Sequence, residues 1–369
     1  MESNSFHSLN TAGLNLLTKI IKSSENGENV FVSPLSIALA FGMLTEGLEE
    51  EDQRRLSEFF GFDTNQGLSQ KLVTSVQKIF AEKEGAEFNL ANSLWSNKNR
   101  RMGIKDSFQA NLKQKFNAIV DEVDPSNGHK VINSWIEDNT NKKIKDCVSE
   151  LDNLFLLVLV NAVYFKGSWE NPFDSYLTQP RDFYLSPNNS KKIDFMNQKT
   201  DVCYLRGSAA TYISLKYKGT SLQFVVGLPD SHGNFDQVQM SEVYNVMKQA
   251  EREVKVKIPK FKLEFKTQLG NLLKAEGLDF LFTPGSHFKK ITDYPGVSVN
   301  QVIHQTFLQV DEVGTEAAGV TAMDCRITCV NPTLPLEFIA DRPFKFFIMD
   351  KETELVIFSG VLNNPSFDI

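Results

Sequence analysis

The sequence predicts an α+β fold. Segments with helical spacing of apolar residues concentrate before Leu154, whereas strand-like segments dominate from about Phe183 onward. No linker rich in Gly, Ser or Pro, no internal repeat and no low-complexity segment separates the two halves. Helices early, strands late and no boundary between them are typical of one α+β domain. We expect that domain to span residues 1–369.

The predicted helices rest on apolar residues spaced three and four apart. They are expected at Phe6 to about Lys22, from Pro34 through the run "PLSIALAFGML", at 50–60, at 66–82, at Lys105–Asn117 and at Asn127–Lys145. Ser33 suits the N-cap of the second helix, and Pro34 fits its first turn. The apolar face of the last helix is predicted to hold Val131, Ile132, Trp135 and Ile136.

The predicted strands show two patterns. "EFNLANSLWSN" alternates, while "FLLVLVNAVYFKGSW" is continuously apolar, as in a strand buried on both faces of a sheet. "VKVKIPKFKLEFK" reads as a strand pair with one wet face, broken by Pro259 at an edge or bend. Two apolar strands joined by the turn Asp350–Thr353 end the chain.

Composition excludes several classes of function. The net charge of −7 argues against a general nucleic-acid binder, since counterion release needs clustered Lys and Arg. The lysines of 255–262 are interpreted as a solvated face, so polyanion binding is not expected. No run approaches the ~20 apolar residues of a membrane span. The N-terminus has no signal-like apolar core, so a cytoplasmic location is the default, although unconventional secretion would leave no trace.

Signatures of catalysis and metal binding are missing. The sequence contains no G-x-S-x-G, H-E-x-x-H, phosphate loop or C-x-x-C. The four cysteines fit no metal spacing and the five histidines are far apart, so no metal or cofactor is expected. A Ser-His-Asp triad assembled from distant residues has no local motif to support it. We therefore expect a protein that is not an enzyme.

Five segments in order resemble the serpin family of serine protease inhibitors. They are "FVSPLSIALAFGML", "INSWIEDNTNKKIKD", "LVNAVYFKGSWENPF", "VIHQTFLQVDEVGTEAAGVTA" and "DRPFKFFI…SGVLNNP", and together they cover the chain from end to end. The resemblance implies three β-sheets, eight or nine helices, and an exposed reactive-centre loop at about 312–332. It also implies a monomer that forms a covalent complex with a serine protease. A papain-like cysteine protease remains an alternative target.

The resemblance also implies roles for residues outside the loop. A "shutter", where the central sheet opens, would comprise Ser33, Ser36, Asn161 and His304. Trp169 would lie at the top of that sheet, in the "breach" where the loop enters. The helix that starts near Asn127 would pack across the face of the sheet.

The first part of the loop is compatible with becoming a strand. The hinge residues implied by the resemblance are Glu312, Gly314, Thr315, Glu316, Ala317 and Ala318. Alternation gives one small, uncharged face, suited to sliding beneath a helix into the interior: Thr315, Ala317, Gly319, Thr321 and Met323. The other face carries the two charged residues, Glu316 and Asp324, and suits solvent. Its members are Glu316, Ala318, Val320, Ala322 and Asp324.

Two departures from the family pattern occur in this region. Val313 stands where the family often has Glu, and Val320 is larger than the usual Ala. We expect neither to block insertion, because Val313 lies outside the inserting segment and Val320 on the outward face. A non-inhibitory relative, acting as a carrier or chaperone, is the competing interpretation. Such relatives often carry charged, bulky or Pro residues at the hinge.

The second part of the loop would be the bait. Fourteen residues after Gly314, the family spacing places the cleaved bond after Thr328, before Cys329, which suits an elastase-like protease. Cleavage after Arg326, before Ile327, would suit a trypsin-like protease instead. Cys325 and Cys329 would lie ~13 Å apart in an extended loop, beyond the ~7 Å that a disulfide spans. They are either free thiols or a redox switch that bends the loop.

Overall fold

The computed structural model describes residues 6–25, 27–61, 72–74, 76–77, 79, 85–315 and 336–367. The predicted α+β fold is confirmed there, with helices packed on the faces of two hydrogen-bonded sheets. The helices are α1 His7–Ser23, α2 Pro34–Thr45, α3 Glu50–Phe59, α4 Asp106–Phe116, α5 Gly128–Asn139, α6 Met240–Met247 and α7 Gly270–Leu273. Within the predicted helix at 66–82, the described residues 72–74, 76–77 and 79 are helical.

Helix α2 begins as its sequence predicts. The Ser33 hydroxyl accepts a hydrogen bond from the backbone N–H of Ser36 at 3.1 Å, and Pro34 occupies the first turn. Every residue of α2 is buried, because the helix passes between the two sheets instead of lying on the surface. The cap therefore sits inside the protein, next to the strands that form the candidate site.

Helix α5 differs from its prediction in length and in one face residue. It ends at Asn139 and not near Lys145, because Asn141 and Lys142 adopt left-handed backbone conformations with φ of 50° and 59°. Ile132 and Ile136, one turn apart, are fully buried. Val131 is 45% exposed, since the residue before Ile132 is rotated ~100° around the helix.

The strands are β1 Val30–Val32, β2 Ala86–Asn97, β3 Ile119–Val123, β4 Leu157–Ser168, β5 Gln179–Ser186, β6 Asn189–Arg206, β7 Ala210–Lys216, β8 Leu222–Pro229, β9 Glu251–Pro259, β10 Phe261–Gln268, β11 Val299–Val310, β12 Gly314–Thr315, β13 Leu336–Ile339, β14 Phe344–Asp350 and β15 Val356–Leu362. One sheet has six strands in the order β10-β11-β12-β4-β2-β3. The other has nine strands in the order β1-β15-β14-β8-β7-β6-β9-β13, with β5 beside β6.

The described strands form two sheets by hydrogen bonding, whereas the resemblance implied three. The 18-residue strand β6 is the reason. Residues 189–195 of β6 pair with β5, residues 195–203 pair with β9, and residues 203–206 pair with β7. Two groups of strands are thereby joined into one continuous ladder.

The segment around Pro259 was interpreted correctly in its break and wrongly in its pairing. Strand β9 ends at Pro259 and β10 begins at Phe261, as the sequence predicted. The two strands do not pair with each other, because the bend sends them into different sheets. Their alternating lysines therefore lie on two separate surfaces.

Most of the core lies between the two sheets and α2, and a second apolar cluster lies between the six-stranded sheet and α5. Among the described residues, no helix is long and apolar enough to cross a membrane. Cys147 and Cys203 are buried free thiols, and burial raises the pKa of each.

Candidate functional site

The end of the six-stranded sheet is held open by two residues. Thr315 of β12 lies opposite Val310 of β11 on one side and Gly167 of β4 on the other. Away from this end of the sheet, β11 and β4 pair directly with each other, from Phe307 opposite Tyr164 to Val299 opposite Leu157. The predicted hinge is therefore the start of a strand between β11 and β4.

Gly314 is required by space. A Cβ atom there would lie 2.0 Å from the carbonyl oxygen of Gly167 and 2.7 Å from the Cα of Ser168. Real Cβ atoms do not approach that closely, so any other residue would push β12 away from β4. The resemblance implied that Gly314 belongs to the hinge, and in this state the residue allows two backbones to approach each other.

Thr315 is fully buried and faces the protein interior. Its hydroxyl shares a 2.7 Å hydrogen bond with the hydroxyl of Tyr217, which is itself buried beneath Trp169. Burial strongly raises the pKa of Tyr217, which therefore stays neutral. Thr315 therefore points toward the interior in this state.

The turn that leads into β12 is shaped by Asp311, which sequence reasoning did not single out. One carboxylate oxygen accepts hydrogen bonds from the backbone N–H of Val313 at 3.0 Å and of Gly314 at 3.2 Å. The other accepts one from the Gln309 side chain at 3.0 Å. Burial raises the pKa of this carboxyl group. An Asp side chain that accepts hydrogen bonds from backbone amides two and three residues later is a known turn signal. The segment "DEVG" therefore contained a local signal for this turn.

Glu312 ties the same turn to neighbouring elements. Its carboxylate accepts hydrogen bonds from the Lys260 ammonium at 2.9 Å and from the Thr178 hydroxyl at 2.7 Å. Burial alone would raise its pKa, but these two donors lower it overall. The backbone oxygen of Glu312 accepts a hydrogen bond from the Phe173 N–H at 2.7 Å. No local pattern identified Lys260 or Thr178 as partners.

Trp169 lies where the resemblance placed it, at the end of β4 beside the opening. Its ring N–H donates to the carbonyl oxygen of Asp311, and its backbone N–H to that of Val313, both at 2.9 Å. The indole stacks on Tyr217 with ring centroids 4.8 Å apart. One residue therefore fastens the turn to β4 and also covers the pocket that holds Thr315.

Further along the sheet, three polar residues form a row across neighbouring strands. Asn92, Asn161 and His304 lie side by side on β2, β4 and β11. The Asn161 oxygen accepts a 2.5 Å hydrogen bond from Nδ1 of His304, and its nitrogen donates to Asn92 at 2.5 Å. The hydrogen bonds closing the sheet at this level are therefore between side chains as well as between backbones.

The row is connected to the start of α2. His304 Nε2 accepts from the backbone N–H of Ser33 at 3.1 Å, and Asn161 donates to the hydroxyl of Ser36 at 2.5 Å. The Ser33 hydroxyl donates to the carbonyl oxygen of Ile357 at 2.7 Å. Complete burial lowers the pKa of His304 to about 3, so its ring is neutral. The four residues predicted for the shutter form one hydrogen-bonded network.

The faces of the six-stranded sheet require one correction. Residues on the face of His304 pack toward α2, whereas α5 covers the opposite face over Val160, Ala162 and Ile303. The crossing helix thus lies on the side of the predicted second set, which begins with Glu316, and not on the side of Thr315. Beneath α5 that side is an apolar layer. The residues of the second set lie outside the described part of the chain, so their orientation toward solvent stays a prediction.

The remaining predicted residues lie outside the described part of the chain. They are Glu316, Ala317 and Ala318 of the hinge, Arg326, Ile327, Thr328 and Cys329 of the bait, and Cys325. In the described ranges, no group of three His, Cys, Asp or Glu side chains is arranged to hold a metal ion.

Comparisons with known proteins agree with this geometry. The family model described as "Serpin (serine protease inhibitor)" matches residues 7–365. An uncharacterized serpin-like protein of Methanosarcina acetivorans is 34% identical, covering 92% of this chain and 83% of the relative. Serpin B6 of Macaca fascicularis is 32% identical, covering 96% of this chain and 98% of the relative.

A solved structure shows the same fold. Human thyroxine-binding globulin, complexed with thyroxine, superposes with a TM-score of 0.89 at 23% identity, covering 99% of this chain and 100% of that one. The family model spans nearly the whole chain, and relatives above 30% identity match it over most of their own length. The chain therefore belongs to the serpin family of serine protease inhibitors.

Proposed function

We propose that this chain inhibits a serine protease irreversibly by inserting its cleaved loop into the six-stranded sheet. The protease serine oxygen attacks the carbonyl carbon of the bait residue, the peptide bond breaks, and the new amine leaves with a proton. The protein is then held to the enzyme by an ester. Insertion of the loop drags the protease along the sheet and deforms its active site before water hydrolyses that ester.

The observation that carries this proposal is the position of β12. Gly314 and Thr315 already pair with β4, and Thr315 also pairs with β11, as the first residues of an inserted strand must. Extension of this strand would separate β11 from β4 progressively from the open end, one pair at a time. No new register has to be found, because the first two residues already set it.

That register leads to a specific arrangement at the shutter. With Thr315 opposite Val310 and Gly167, continued pairing brings Thr321 between His304 and Asn161. Thr321 has the same parity as Thr315, so its side chain would face α2 and the network there. A hydroxyl both donates and accepts, and could therefore replace the hydrogen bond that links His304 to Asn161.

The energy available is sufficient to drive the step. Continued pairing from Glu316 reaches Asp324 opposite Gln301 in the same register. One ladder between β11 and β4 would be replaced by two, a net gain of about nine hydrogen bonds at ~1 kcal/mol each. A gain of roughly 9 kcal/mol is comparable with the whole stability of a typical domain, ~5–15 kcal/mol.

The target class depends on the bait residue. Cleavage after Thr328 favours an elastase-like enzyme, whose pocket is shallow and apolar. Cleavage after Arg326 favours a trypsin-like enzyme, whose pocket carries an acid. Mass spectrometry of the loop after protease challenge distinguishes the two bonds directly.

The test is incubation with trypsin and with pancreatic elastase at equimolar ratio, followed by denaturing electrophoresis. We expect an SDS-stable band at the summed mass of the protease and the cleaved chain for at least one enzyme. Cleavage of the loop by every enzyme, with full retention of protease activity, would contradict the proposal. That result would favour the alternative of a non-inhibitory carrier or chaperone, although no contact among the described residues supports that alternative. Residual papain activity, measured in parallel, reports on a cysteine protease target.

A matched pair of variants separates insertion from loop recognition. Thr315→Arg should convert the protein into a substrate, because a charge cannot remain in the buried position beside Tyr217, and insertion would then lack the two residues that start the strand. Val313→Arg places the same side chain on the turn, where the residue is only half-buried and outside the inserted strand. We expect Val313→Arg to keep the covalent complex and Thr315→Arg to lose it.

A further inference from the structure

A short segment after β15, residues 363–367, connects the nine-stranded sheet to the hinge. It is fixed at its start by Asn29, whose side-chain oxygen accepts hydrogen bonds from the backbone N–H groups of Asn363 at 2.8 Å and Asn364 at 2.9 Å. The Asn29 amide donates in return to the carbonyl oxygen of Asn364 at 2.8 Å. Pro365 is buried and restricts the backbone at the next position. Segment 363–367 is therefore held in place before it reaches the six-stranded sheet.

Segment 363–367 meets that sheet at the outer edge of β10, the strand that pairs with β11 on its other side. The backbone N–H of Lys262 donates to the carbonyl oxygen of Ser366 at 2.7 Å. The next side chain, Phe367, is half-buried. The centre of its ring lies 4.7 Å from the ammonium nitrogen of Lys260 and 4.6 Å from that of Lys262. Both distances are within the ~6 Å at which an aromatic face attracts a cation.

Lys260 is also the cation that bonds the hinge turn. Its ammonium group lies 2.9 Å from the carboxylate of Glu312, and the two side chains are only 19% and 11% exposed, so water screens their attraction little. A lysine side chain is flexible, and a contact that restricts it beforehand leaves less freedom to be lost when the ion pair forms. Phe367 and Glu312 therefore hold the same ammonium group from two different elements.

The hinge depends on this turn because β12 itself is short. The strand consists of Gly314 and Thr315 and pairs with its neighbours through these two residues. Glu312 precedes it by two positions and anchors the turn to Lys260 and Thr178. Without the ring of Phe367, Lys260 would sample more orientations, and its ion pair with the turn would weaken. A weaker anchor would let β12 leave its place more often.

We propose that Phe367 is a positioning residue for the hinge: it orients Lys260 toward Glu312 and so keeps β12 between β11 and β4 until the cleaved loop follows it into the sheet. This inference rests on the proposed inhibitory function and adds a residue, outside both the loop and the sheet, on which the outcome of cleavage depends. Insertion competes with hydrolysis of the ester. Each detachment of β12 delays insertion, so a larger fraction of the protease is released.

The experiment measures, with trypsin and with pancreatic elastase, the ratio of chain that is cleaved and released to chain that is held in the SDS-stable complex. Phe367→Leu keeps an apolar side chain and removes the aromatic ring, whereas Phe367→Tyr keeps a ring of the same shape. Lys262→Met is the matched control. It removes the other ammonium group from the same ring and keeps the hydrogen bond to Ser366, which uses the backbone of Lys262. The rate of loop cleavage is recorded in parallel.

We expect Phe367→Leu to raise this ratio about two- to fivefold, the factor that corresponds to one cation–π contact at an exposed site. The rate of loop cleavage should not change, because the bait itself is untouched. Phe367→Tyr and Lys262→Met should both keep the wild-type ratio. An unchanged ratio in Phe367→Leu, or an equal rise in either of the other two variants, overturns the positioning role.

Urea unfolding tests the same coupling without a protease. Phe367 and Glu312 act on one ammonium group, so Phe367→Leu/Glu312→Gln should lower the urea midpoint by less than the sum of the two single changes. In a Lys260→Met background the two changes should be additive, because the group that couples them is gone. Additivity in the presence of Lys260 would show that the ring does not act on the hinge.

The two proposals fail separately. Absence of an SDS-stable complex in the wild type refutes inhibition, and the unfolding cycle then decides by itself whether Phe367 acts on the hinge. A stable complex whose ratio of cleaved to trapped chain ignores Phe367→Leu refutes the positioning role and leaves inhibition standing.

Discussion

Acidification should destabilise the shutter through His304. In the folded protein, Nε2 accepts from the Ser33 N–H, and Nδ1 therefore carries the proton donated to Asn161. A second proton on Nε2 would face the Ser33 N–H, with no acceptor to receive it. Burial lowers the pKa of His304 from 6.5 to about 3, whereas the unfolded chain keeps the ordinary value.

The direction of the effect follows from proton linkage. Below the unfolded pKa of 6.5, the unfolded chain binds a proton at His304 that the folded protein excludes until the pH approaches about 3. Stability is thus fully present above pH 6.5 and is lost as the pH falls toward 3. The slope is ~1.4 kcal/mol per pH unit for one group, so acidification from pH 7 to ~4.5 should cost about 2–3 kcal/mol from His304 alone.

Urea unfolding at pH 7 and at pH ~4.5 tests this reasoning. The Gln side chain carries an NH₂ donor group and a carbonyl acceptor, so His304→Gln can keep both hydrogen bonds without a titrating group. We expect the variant to lose about 2–3 kcal/mol less than the wild type over that interval. His232→Gln, which removes a histidine hydrogen-bonded to the carbonyl oxygen of Tyr184, is the control. Equal losses in the wild type and His304→Gln would refute a neutral, buried His304 as the source.

Three further predictions concern the hinge, each measured by urea unfolding. Thr315→Val should cost ~1–3 kcal/mol by leaving the buried Tyr217 hydroxyl without its partner; adding Tyr217→Phe should recover part of the loss, and strict additivity would contradict the contact. Asp311→Ala should cost ~1–3 kcal/mol, because two turn amides lose their acceptor, and an unchanged midpoint would exclude that role. Lys260→Met should destabilise more than Lys260→Met/Glu312→Gln, since the single change leaves a buried carboxylate without its cation; the reverse order would show that the ion pair does not hold the turn.

Much of the fold was predictable because periodicity reports directly on burial. The continuous apolar run that became β4 and the capped start of α2 were correctly interpreted from local pattern alone. The inward orientation of Thr315 was also predictable, since alternation in a strand needs no knowledge of the partner strand. Val131 was the exception, because the apolar face predicted for α5 was one residue too wide and Val131 is exposed.

The partners of those residues were not predictable from local pattern. Asn161 and His304 meet across two parallel strands 143 residues apart in sequence, and Ser33 joins them from a third element. Only the resemblance to a known family grouped them beforehand. Lys260 and Tyr217 had no such guide, and their contacts with the hinge became visible only in three dimensions.

The sequence by itself determined which segments are helices and strands, and that the hinge is small enough on one face to be buried. Local spacing decides both properties, because apolar residues that recur every 3.6 residues in a helix or every 2 residues in a strand mark the face that is buried. Only the tertiary structure decided what each buried group meets: Thr315 against Tyr217, Gly314 against the Gly167 carbonyl, and α5 on the face opposite to His304. Those choices depend on strand order and register across the whole chain, which no local pattern encodes.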